Sequence, residues 1–237
     1  MATFADVLAA RVQRDAGRPL VTFYDHATDE RVELSVTTYA NWVAKASGLL
    51  SDVAGLERGM ALRLDLPPHW LSTVFLGAAW TVGLRVTTSA DPDAVVCGPE
   101  SLDTWACRAS QLPVLACSLR PLGVRFAEAL PPGVLDVGVE IWGQPDGFTA
   151  WDPPTGDDLA TDSASQTQLW SDDLTAAVGS PLTDGGRLLS VADPASPPGI
   201  ATFTEPLRRG GSLVLVRHPD PARLDDVHDA ERATARA

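Results

Sequence analysis

The chain has 237 residues, of which 45% are hydrophobic and 21% are charged, so it can bury a core and is not disordered as a whole. Its formal net charge at pH 7 is −13, with 31 acidic against 18 basic residues. This excess of negative charge argues against nucleic acid and against an anionic membrane surface, because both require clustered Lys and Arg.

The first half of the chain predicts helices that alternate with strands. Thr37 or Thr38 is the expected cap of the second helix, and Pro68 is expected at the first position of a helix that is apolar on nearly all sides. In chain order, the predicted elements are an amphipathic helix at 1–18, a β-hairpin at 21–35, a helix at 37–55, a strand at 60–67, a buried helix at 68–83, strands at 84–89 and 94–98, a helix at 101–111 and a strand at 113–119.

The second half is richer in Pro and Gly and predicts irregular strands and loops over residues 123–158. Regular elements are expected again after that segment. They are a helix at 171–178, a strand at 187–193, a helix at 197–211, a strand at 212–218 and a closing helix at 220–234. Asp220 is the expected cap of this last helix, and Pro221 takes its first position.

Strands alternating with helices predict an α/β fold built from βαβ units, with mainly parallel sheets flanked by helices. We expect residues 1–237 to form a single domain with two possible lobes. The first lobe would span residues 1–140 and the second residues 171–237, joined by an irregular linker at 141–170. The alternative is one long excursion within a single sheet.

Targeting and redox signals favour the cytoplasm. The N-terminus lacks the long apolar stretch of a signal peptide, and the apolar run Trp70–Val86 is interrupted by polar residues and short for a bilayer span. The three cysteines, Cys97, Cys107 and Cys117, have no zinc-ligand spacing, so we expect reduced structural thiols.

The segment TDSASQTQLW (161–170) lies where a phosphate-gripping loop is expected in an α/β chain. It offers the hydroxyls of Ser163, Ser165 and Thr167 but no glycine and no lysine, which such loops use to turn amides and an ammonium toward the anion. A solvated connecting loop is the alternative. The flanking Trp151 and Trp170 indicate either a pocket or partner surface, or local packing beneath the loop.

Other chemistry has weaker support. No G-x-S-x-G elbow occurs, and the cysteines have apolar neighbours, so no Ser or Cys nucleophile is expected. The histidines are scattered along the sequence, and no metal site is expected. They are His26, His69, His218 and His228.

Four segments, Thr38–Tyr39, Leu56–Met60, Leu64–Pro68 and Trp80–Thr87, follow an order that resembles the N-terminal domain of the adenylate-forming enzymes, the acyl-CoA synthetase and AMP-ligase superfamily. The tail at 187–234 resembles the part of that family that follows its phosphate loop. The resemblance covers roughly residues 18–118 and 171–235, and extends to short, truncated actinobacterial relatives. It implies the family's N-terminal α/β architecture.

The same resemblance implies a degenerate phosphate loop. The family's loop is rich in Ser, Thr and Gly and ends in Pro-Lys, whereas residues 161–170 contain neither Gly nor Lys. The sequence also stops before the family's adenine-binding motif, its metal-binding Thr-Glu and the C-terminal domain with the catalytic lysine. Lys45 lies on an early helix and cannot replace that lysine.

Three hypotheses follow. The leading one is a non-catalytic domain that binds a small acyl or nucleotide-like ligand, or a homodimer or protein partner that covers faces exposed by the truncation. No cofactor is expected, and ATP or AMP is implied by resemblance alone. The second is a partial AMP-forming acid ligase that needs a second polypeptide. The third is new chemistry by Asp193, Ser196 and His218, and the expected cleft is formed by Asp193, Ser196 and Trp170.

Overall fold

The structure, a computed structural model, describes residues 2–171, 182–196 and 199–237, so the helix predicted at 171–178 lies outside the described residues except for Ser171. The helices of the described residues are α1 (Phe4–Asp15), α2 (Val36–Gly48), α3 (Trp70–Val82), α4 (Leu102–Ala106), α5 (Val137–Glu140), α6 (Ile200–Arg208) and α7 (Pro221–Ala230). A π-helical turn continues α2 over Leu49–Val53, and 3-10 turns occupy Pro121–Gly123, Ile141–Gly143 and Gln168–Trp170.

The strands form two five-stranded sheets. They are β1 (Pro19–Asp25), β2 (Glu30–Ser35), β3 (Ala61–Asp65), β4 (Arg85–Val86), β5 (Ala94–Cys97), β6 (Val114–Ala116), β7 (Val134–Asp136), β8 (Arg187–Ser190), β9 (Ser212–Arg217) and β10 (Ala235–Arg236). The first sheet has the order β10-β8-β9-β1-β2 and the second β4-β3-β5-β6-β7. Among the described pairs, β1 with β2 is antiparallel and the others are parallel. The predicted α/β fold with mainly parallel sheets flanked by helices is confirmed.

The N-terminal hairpin and the C-terminal strands share the first sheet. Strand β1 pairs in parallel with β9, so that Val21 faces Leu213 and Asp25 faces Arg217. The short strand β10, which the sequence did not predict, pairs with β8. The sheets are therefore not separated along the chain, and the division into lobes at residues 140 and 170 stays a prediction.

Helix α3 occupies the space between the sheets. It contacts β1 of the first sheet and β3 and β4 of the second, and twelve of its thirteen residues are buried, as the apolar sequence predicted. Its Gly77 lets other elements approach closely, because a Cβ there would lie 2.6 Å from the Tyr39 hydroxyl and 2.8 Å from the Phe4 ring. That hydroxyl donates to the carbonyl of Thr73 at 2.7 Å and ties α2 to α3.

Two predicted helix starts are wrong. The cap of α2 is Ser35 rather than Thr37 or Thr38, because β2 runs directly into the helix and the Ser35 hydroxyl accepts from the Thr38 amide at 3.1 Å. The cap of α3 is His69, whose Nδ1 accepts from the Leu71 amide at 3.2 Å. Pro68 therefore precedes the helix rather than opening it.

The predicted end of the second helical segment and the start of the last helix are confirmed. Gly55 follows the π-helical turn with φ +69°, a left-handed conformation that suits glycine. Asp220 caps α7 by accepting from the Ala222 amide, with Pro221 at the first helical position. No helix among the described ranges combines the length and apolar character needed to cross a bilayer.

Residues 123–158, predicted as irregular strands and loops, contain the short elements β7 and α5 and the 3-10 turn Ile141–Gly143 among loops. This segment and the following residues up to 170 are packed against the rest of the fold. The carbonyl of Ala160 accepts from the Trp80 indole and from the Val86 amide, each at 2.9 Å. Arg58 forms ion pairs with Asp152 at 3.1 Å and with Asp158 at 2.7 Å. This segment thus covers the carboxyl end of α3 and the start of the second sheet.

Candidate functional site

The backbone of the predicted phosphate-loop segment is engaged inside the protein. From Ser163 to Ser171, each backbone N–H donates to an acceptor within residues 156–171. Thr161 is central, since its hydroxyl accepts from the amides of Ser163 at 3.2 Å and Ala164 at 3.0 Å. An anion held by this backbone would have to compete with these bonds.

Gln166 anchors the loop beneath the surface. Its side chain is fully buried, accepts from the Phe4 amide at 3.0 Å and donates to the Trp80 carbonyl at 2.8 Å. The Phe4 amide belongs to the first turn of α1 and the Trp80 carbonyl to the last turn of α3, and both groups lack a partner within their own helix. One amide side chain therefore caps two helices.

The predicted loop hydroxyls have ordinary structural positions. Ser163 is exposed, and the Ser165 hydroxyl accepts from the Gln168 amide at 3.3 Å. The Thr167 hydroxyl is buried without a hydrogen-bond partner among the described residues. The neighbouring Asp162 carboxylate accepts from Arg85 and from the Thr87 hydroxyl, each at 2.8 Å, which places negative charge on the loop.

A second group of polar side chains lies where β1 and β9 end. The Asp25 carboxylate is 5% exposed and lies 2.8 Å from the Nδ1 of His218, which follows β9 and is half exposed. Burial acts to raise the pKa of Asp25, but hydrogen bonds from His218 and the Ala27 amide outweigh it, and the pKa is lowered. His218 has φ +48°, a conformation that costs a non-glycine residue about 1–2 kcal/mol.

This group contains buried atoms that have no hydrogen-bond partner among the described residues, namely the Nε2 of His26, the Nε2 of His69 and the Oε1 of Glu30. His26 accepts from the Asp220 amide at 3.0 Å through its other nitrogen. Burial, reinforced by the charge of Arg223, lowers the pKa of His26, and burial with the charge of Arg217 lowers the pKa of His69 to about 3. Both imidazoles are therefore neutral at pH 7.

Arg217 connects this group to the second sheet. Its guanidinium donates to the Glu100 carboxylate at 2.7 Å, and Glu100 follows β5. The carboxyl ends of β9 and β5 consequently face one another across the gap between the sheets. Ligands of α/β proteins commonly bind in a crevice outside the carboxyl ends of the strands. We call this group, formed by Asp25, His26, Glu30, His69, Arg217 and His218, the strand-end cluster.

Asp193 and Ser196 lie nearby in the topology, just beyond the carboxyl end of β8. Burial and the charge of Asp65, at the end of β3, raise the pKa of Asp193, although hydrogen bonds from the Ala195 amide and the Ser196 hydroxyl oppose that shift. The predicted cleft partner Trp170 has other neighbours, since its ring stacks on Phe4 with centroids 6.4 Å apart. A cleft shared by all three residues stays a prediction.

The tryptophans that flank the loop differ from each other. Trp170 donates from its indole to the Ala2 carbonyl at 3.1 Å and is part of the local packing. Trp151 is fully exposed and lies beside a surface cavity of about 390 Å³ that also contains Arg58 and Phe148. The cavity beside Trp151 thus agrees with a pocket there, whereas the contacts of Trp170 agree with local packing beneath the loop.

The described residues contain no group of three or more His, Cys, Asp or Glu side chains placed to hold a metal ion. Burial, with a smaller effect of Asp65, raises the pKa of Cys97 to about 12, and burial raises that of Cys117 well above its usual value. These thiols remain protonated at pH 7, as expected of structural cysteines. Cys107 is exposed.

The Asp25–His218 pair could orient an imidazole for proton transfer, but no serine or cysteine hydrogen-bonds to the His218 side chain in the described part of the chain. In the sequence the histidines are scattered, and His218 is grouped only with Asp193 and Ser196 as a candidate for new chemistry. The structure instead joins His218 to Asp25, which is 193 positions away. The sequence feature that could have indicated this pair is position, since both residues lie at the ends of predicted strands.

Comparison with known proteins agrees with this architecture. No protein-family model matches the sequence. A TIGR03089 family protein of Mycobacterium tuberculosis (strain ATCC 25618 / H37Rv) is 33% identical over 236 residues, which cover 96% of this chain and 95% of that relative.

Solved structures show the same fold at low sequence identity. An acyl-CoA synthetase of Brucella canis superposes with a TM-score of 0.79 at 18% identity over 99% of this chain and 47% of its own. The anthranilate CoA ligase AuaEII, solved with anthranoyl-AMP, gives 0.75 at 14% identity over 99% and 49%. A fatty acyl CoA synthetase of Mycobacterium tuberculosis gives 0.73 at 13% identity over 99% and 48%.

This chain therefore spans about half the length of these solved enzymes. Their similarity is below the level at which activity can be transferred, and it establishes the fold. The mycobacterial relative matches along nearly its full length. The chain belongs to the TIGR03089 family, with the fold of the N-terminal domain of adenylate-forming enzymes.

Proposed function

We propose that this chain is a binding domain that takes a small acyl or nucleotide-like ligand and does not form acyl-adenylates by itself. The observation that carries the proposal is the internal use of the loop amides from Ser163 to Ser171. Adenylation requires donors that are already aimed at the charge developing on the triphosphate. Amides that are bound to other acceptors do not provide that electrostatic stabilisation.

The strand-end cluster supports the binding half of the proposal. It offers the Arg217 guanidinium, the half-exposed His218 imidazole and buried nitrogens of His26 and His69 that have no partner among the described residues. Unsatisfied buried polar atoms cost stability unless a ligand or water completes them. A ligand with both an anionic group and polar edges would match this set.

The experiment measures adenylation and binding separately on the purified chain. ATP-dependent pyrophosphate exchange, with a panel of carboxylic acids, should remain at the level of a protein-free control. Thermal unfolding with ATP, AMP, CoA or acyl-CoA should show a saturable rise in melting temperature, since ligand at 100 times its Kd stabilises by about 2.7 kcal/mol. The variant Arg217→Gln should weaken that response, whereas His228→Asn, on α7 outside the cluster, should not.

Exchange above background would overturn the non-catalytic part of the proposal. A melting temperature that no compound raises would overturn the ligand-binding part. The two results are independent, because a domain can bind an adenylate without making one.

A second candidate is a partial AMP-forming acid ligase completed by another polypeptide. The observation in its favour is that the chain matches about half the length of the solved synthetases and ligases. Tagged chain recovered from its own cells under mild conditions should then carry pyrophosphate-exchange activity that is lost after a denaturing wash and refolding. Exchange that is absent from both preparations would count against this candidate.

The proposal also includes association of this chain with another protein chain, such as a second copy of itself, and a location in the cytoplasm. Trp142 is 55% exposed and Val139 50% exposed on neighbouring turns, and the Trp142 ring packs on Trp42 with centroids 5.5 Å apart. Such exposed apolar side chains are typical of contact surfaces. Sedimentation velocity should show a dimer that Trp142→Ser converts to monomer. If the wild type sediments as a monomer at every concentration, the homodimer is wrong.

A further inference from the structure

The opposite edge of the first sheet carries a cavity that the proposed function does not use. The amino ends of β8, β9 and β1 meet there, and a cavity of about 210 Å³ opens beside them. Its charged lining residues are Arg11, Arg18, Arg187, Glu231 and Arg232. We propose that this cavity is a binding site for a phosphate-type oxyanion.

Positive charge is concentrated at this edge although the protein is strongly acidic. Most of the charged residues that line the cavity form ion pairs with one another or with residues around it. Together the lining residues and these neighbours carry six guanidiniums and three carboxylates, an excess of three positive charges. They are Arg11, Arg14, Arg18, Arg31, Arg187 and Arg232 against Asp15, Glu33 and Glu231. An excess of this size in one small space is expected to attract a multivalent anion.

The two inner arginines are held in place by their own contacts. Arg11 is 3% exposed, donates to the Gly211 carbonyl at 3.1 Å and pairs with Asp15 at 3.1 Å. Arg187 donates to the Ser212 hydroxyl at 3.1 Å and to the Thr22 hydroxyl at 2.8 Å. Fixed guanidiniums lose little conformational entropy when an anion binds, which favours binding.

The carboxylates near the cavity are already shared. Glu231 accepts from Tyr24 at 2.5 Å, from Arg31 at 2.9 Å and from Arg187. Asp15 lies 3.1 Å from Arg11 and 2.9 Å from Arg14. A carboxylate that is divided between guanidiniums leaves part of their positive charge available to another anion.

The outer arginines face solvent. Arg18 is exposed and lies 4.0 Å from Asp15, at the limit of an ion pair. Arg232 is exposed, has φ +51° and forms no ion pair or hydrogen bond through its side chain with the described residues. Two exposed guanidiniums at the mouth and two buried or partly buried ones inside suit an anion with oxygens on several sides. Phosphate has this tetrahedral geometry, whereas a carboxylate has one plane.

The cavity is large enough to hold a phosphate group. Its volume corresponds to about seven water molecules at roughly 30 Å³ each. Glycine keeps the wall open at Gly210, where a Cβ would lie 2.8 Å from the Arg14 guanidinium and 2.9 Å from that of Arg11. A groove of about 370 Å³ shares Arg18 and Gly210 with the cavity and could take the remainder of a larger phosphorylated molecule.

The test uses inorganic phosphate in isothermal titration calorimetry of the full chain, with chloride at equal ionic strength as the reference. We expect saturable 1:1 binding of phosphate. The variant Arg18→Gln/Arg232→Gln should weaken it at least about tenfold, the effect of losing one charge-assisted hydrogen bond. The control Arg120→Gln/Arg125→Gln makes the same charge change in the exposed β6–β7 connection and should leave phosphate affinity unchanged.

Three results would overturn the proposal. The first is that titration of phosphate releases or absorbs no more heat than titration of chloride, and the second is that the Arg18/Arg232 variant binds phosphate as tightly as wild type. The third is that the control variant loses as much affinity, which would indicate a general charge effect. Circular dichroism verifies that each variant is folded. If the double variant fails to fold, Arg232→Gln alone carries the test, since that side chain has no described partner to lose. Phosphate binding at this edge is independent of ligand binding at the strand-end cluster, so either can fail alone.

Discussion

The loop at residues 161–170 and the strand-end cluster are both rich in polar side chains, yet they use them differently. In the loop, Gln166 and Thr161 satisfy backbone groups that would otherwise lack partners, although the Thr167 hydroxyl is buried without a partner among the described residues. In the cluster, the Nε2 atoms of His26 and His69 are buried and have no partner among the described residues. Polar groups that are fully satisfied contribute to stability, whereas unsatisfied ones cost stability and are retained at sites with another use.

The comparison predicts that loop substitutions mainly change the free energy of unfolding. The largest effect is expected for Gln166→Ala, which leaves the Phe4 amide and the Trp80 carbonyl without partners. At about 1–3 kcal/mol for each buried orphan group, we expect a loss of about 3 kcal/mol in urea unfolding. Gln168→Ala is the matched control, because the only bond its side chain makes among the described residues, from the Ser165 amide at 2.8 Å, is solvent-exposed and can be replaced by water, so the loss should be less than about 1 kcal/mol. Equal losses of unfolding free energy in the two variants would show that Gln166 contributes no more to stability than Gln168 does.

The next effect concerns the pH dependence that the cluster imposes. His69 has a pKa of about 3 in the folded protein, against about 6.5 when unfolded. Between these two pH values, the unfolded state therefore binds a proton on His69 and the folded state does not. Stability from this group is therefore fully present above about pH 6.5 and falls as the pH drops toward 3. Between about pH 7 and about pH 5 the loss should be about 2 kcal/mol.

His69→Asn keeps an acceptor for the Leu71 amide and removes the titration. The variant should lose about 2 kcal/mol less than wild type between those two pH values in urea unfolding. His228→Asn, on the surface of α7, supplies the control. A variant that retains the wild-type pH slope would show that His69 is not the responsible group.

A smaller effect of opposite sign is expected at Asp193. Burial and Asp65 raise the pKa of its carboxyl, so the ionised form is disfavoured in the folded state relative to the unfolded state. The contribution of this group is favourable below the unfolded pKa and is lost as the pH rises through the folded pKa. Asp193→Asn keeps an oxygen for the Ala195 amide and should stabilise by less than about 1 kcal/mol at pH 7. Destabilisation would mean that the charge itself supports the fold.

The smallest effect is expected for the contact between the sheets. Glu100 is 70% exposed, so its ion pair with Arg217 is screened by water. A double-mutant cycle with Arg217→Gln and Glu100→Gln should give a coupling energy of about 0.5 kcal/mol or less. A coupling energy several times larger would show that this ion pair contributes substantially to stability. The strand-end cluster would then have a structural role, as the loop has.

Local sequence patterns predicted the order of the main elements because they depend on neighbouring residues. The apolar run in α3 predicted its burial, and the Asp220–Pro221 pair predicted the start of α7. Both signals act within one or two turns of helix. The predicted cap of α2 and the predicted first residue of α3 were wrong because Ser35 and His69 become caps only once the chain there takes an extended conformation.

The sequence by itself thus determined the α/β class, the burial of α3 and the absence of Gly and Lys from residues 161–170. Tertiary structure decided that β1 pairs with β9, that Asp25 meets His218 across 193 positions, and that arginines from both ends of the chain line one cavity. The reason is physical: helix periodicity and capping are set by residues within a few positions, whereas strand pairing and charge clustering depend on which distant surfaces the core brings together.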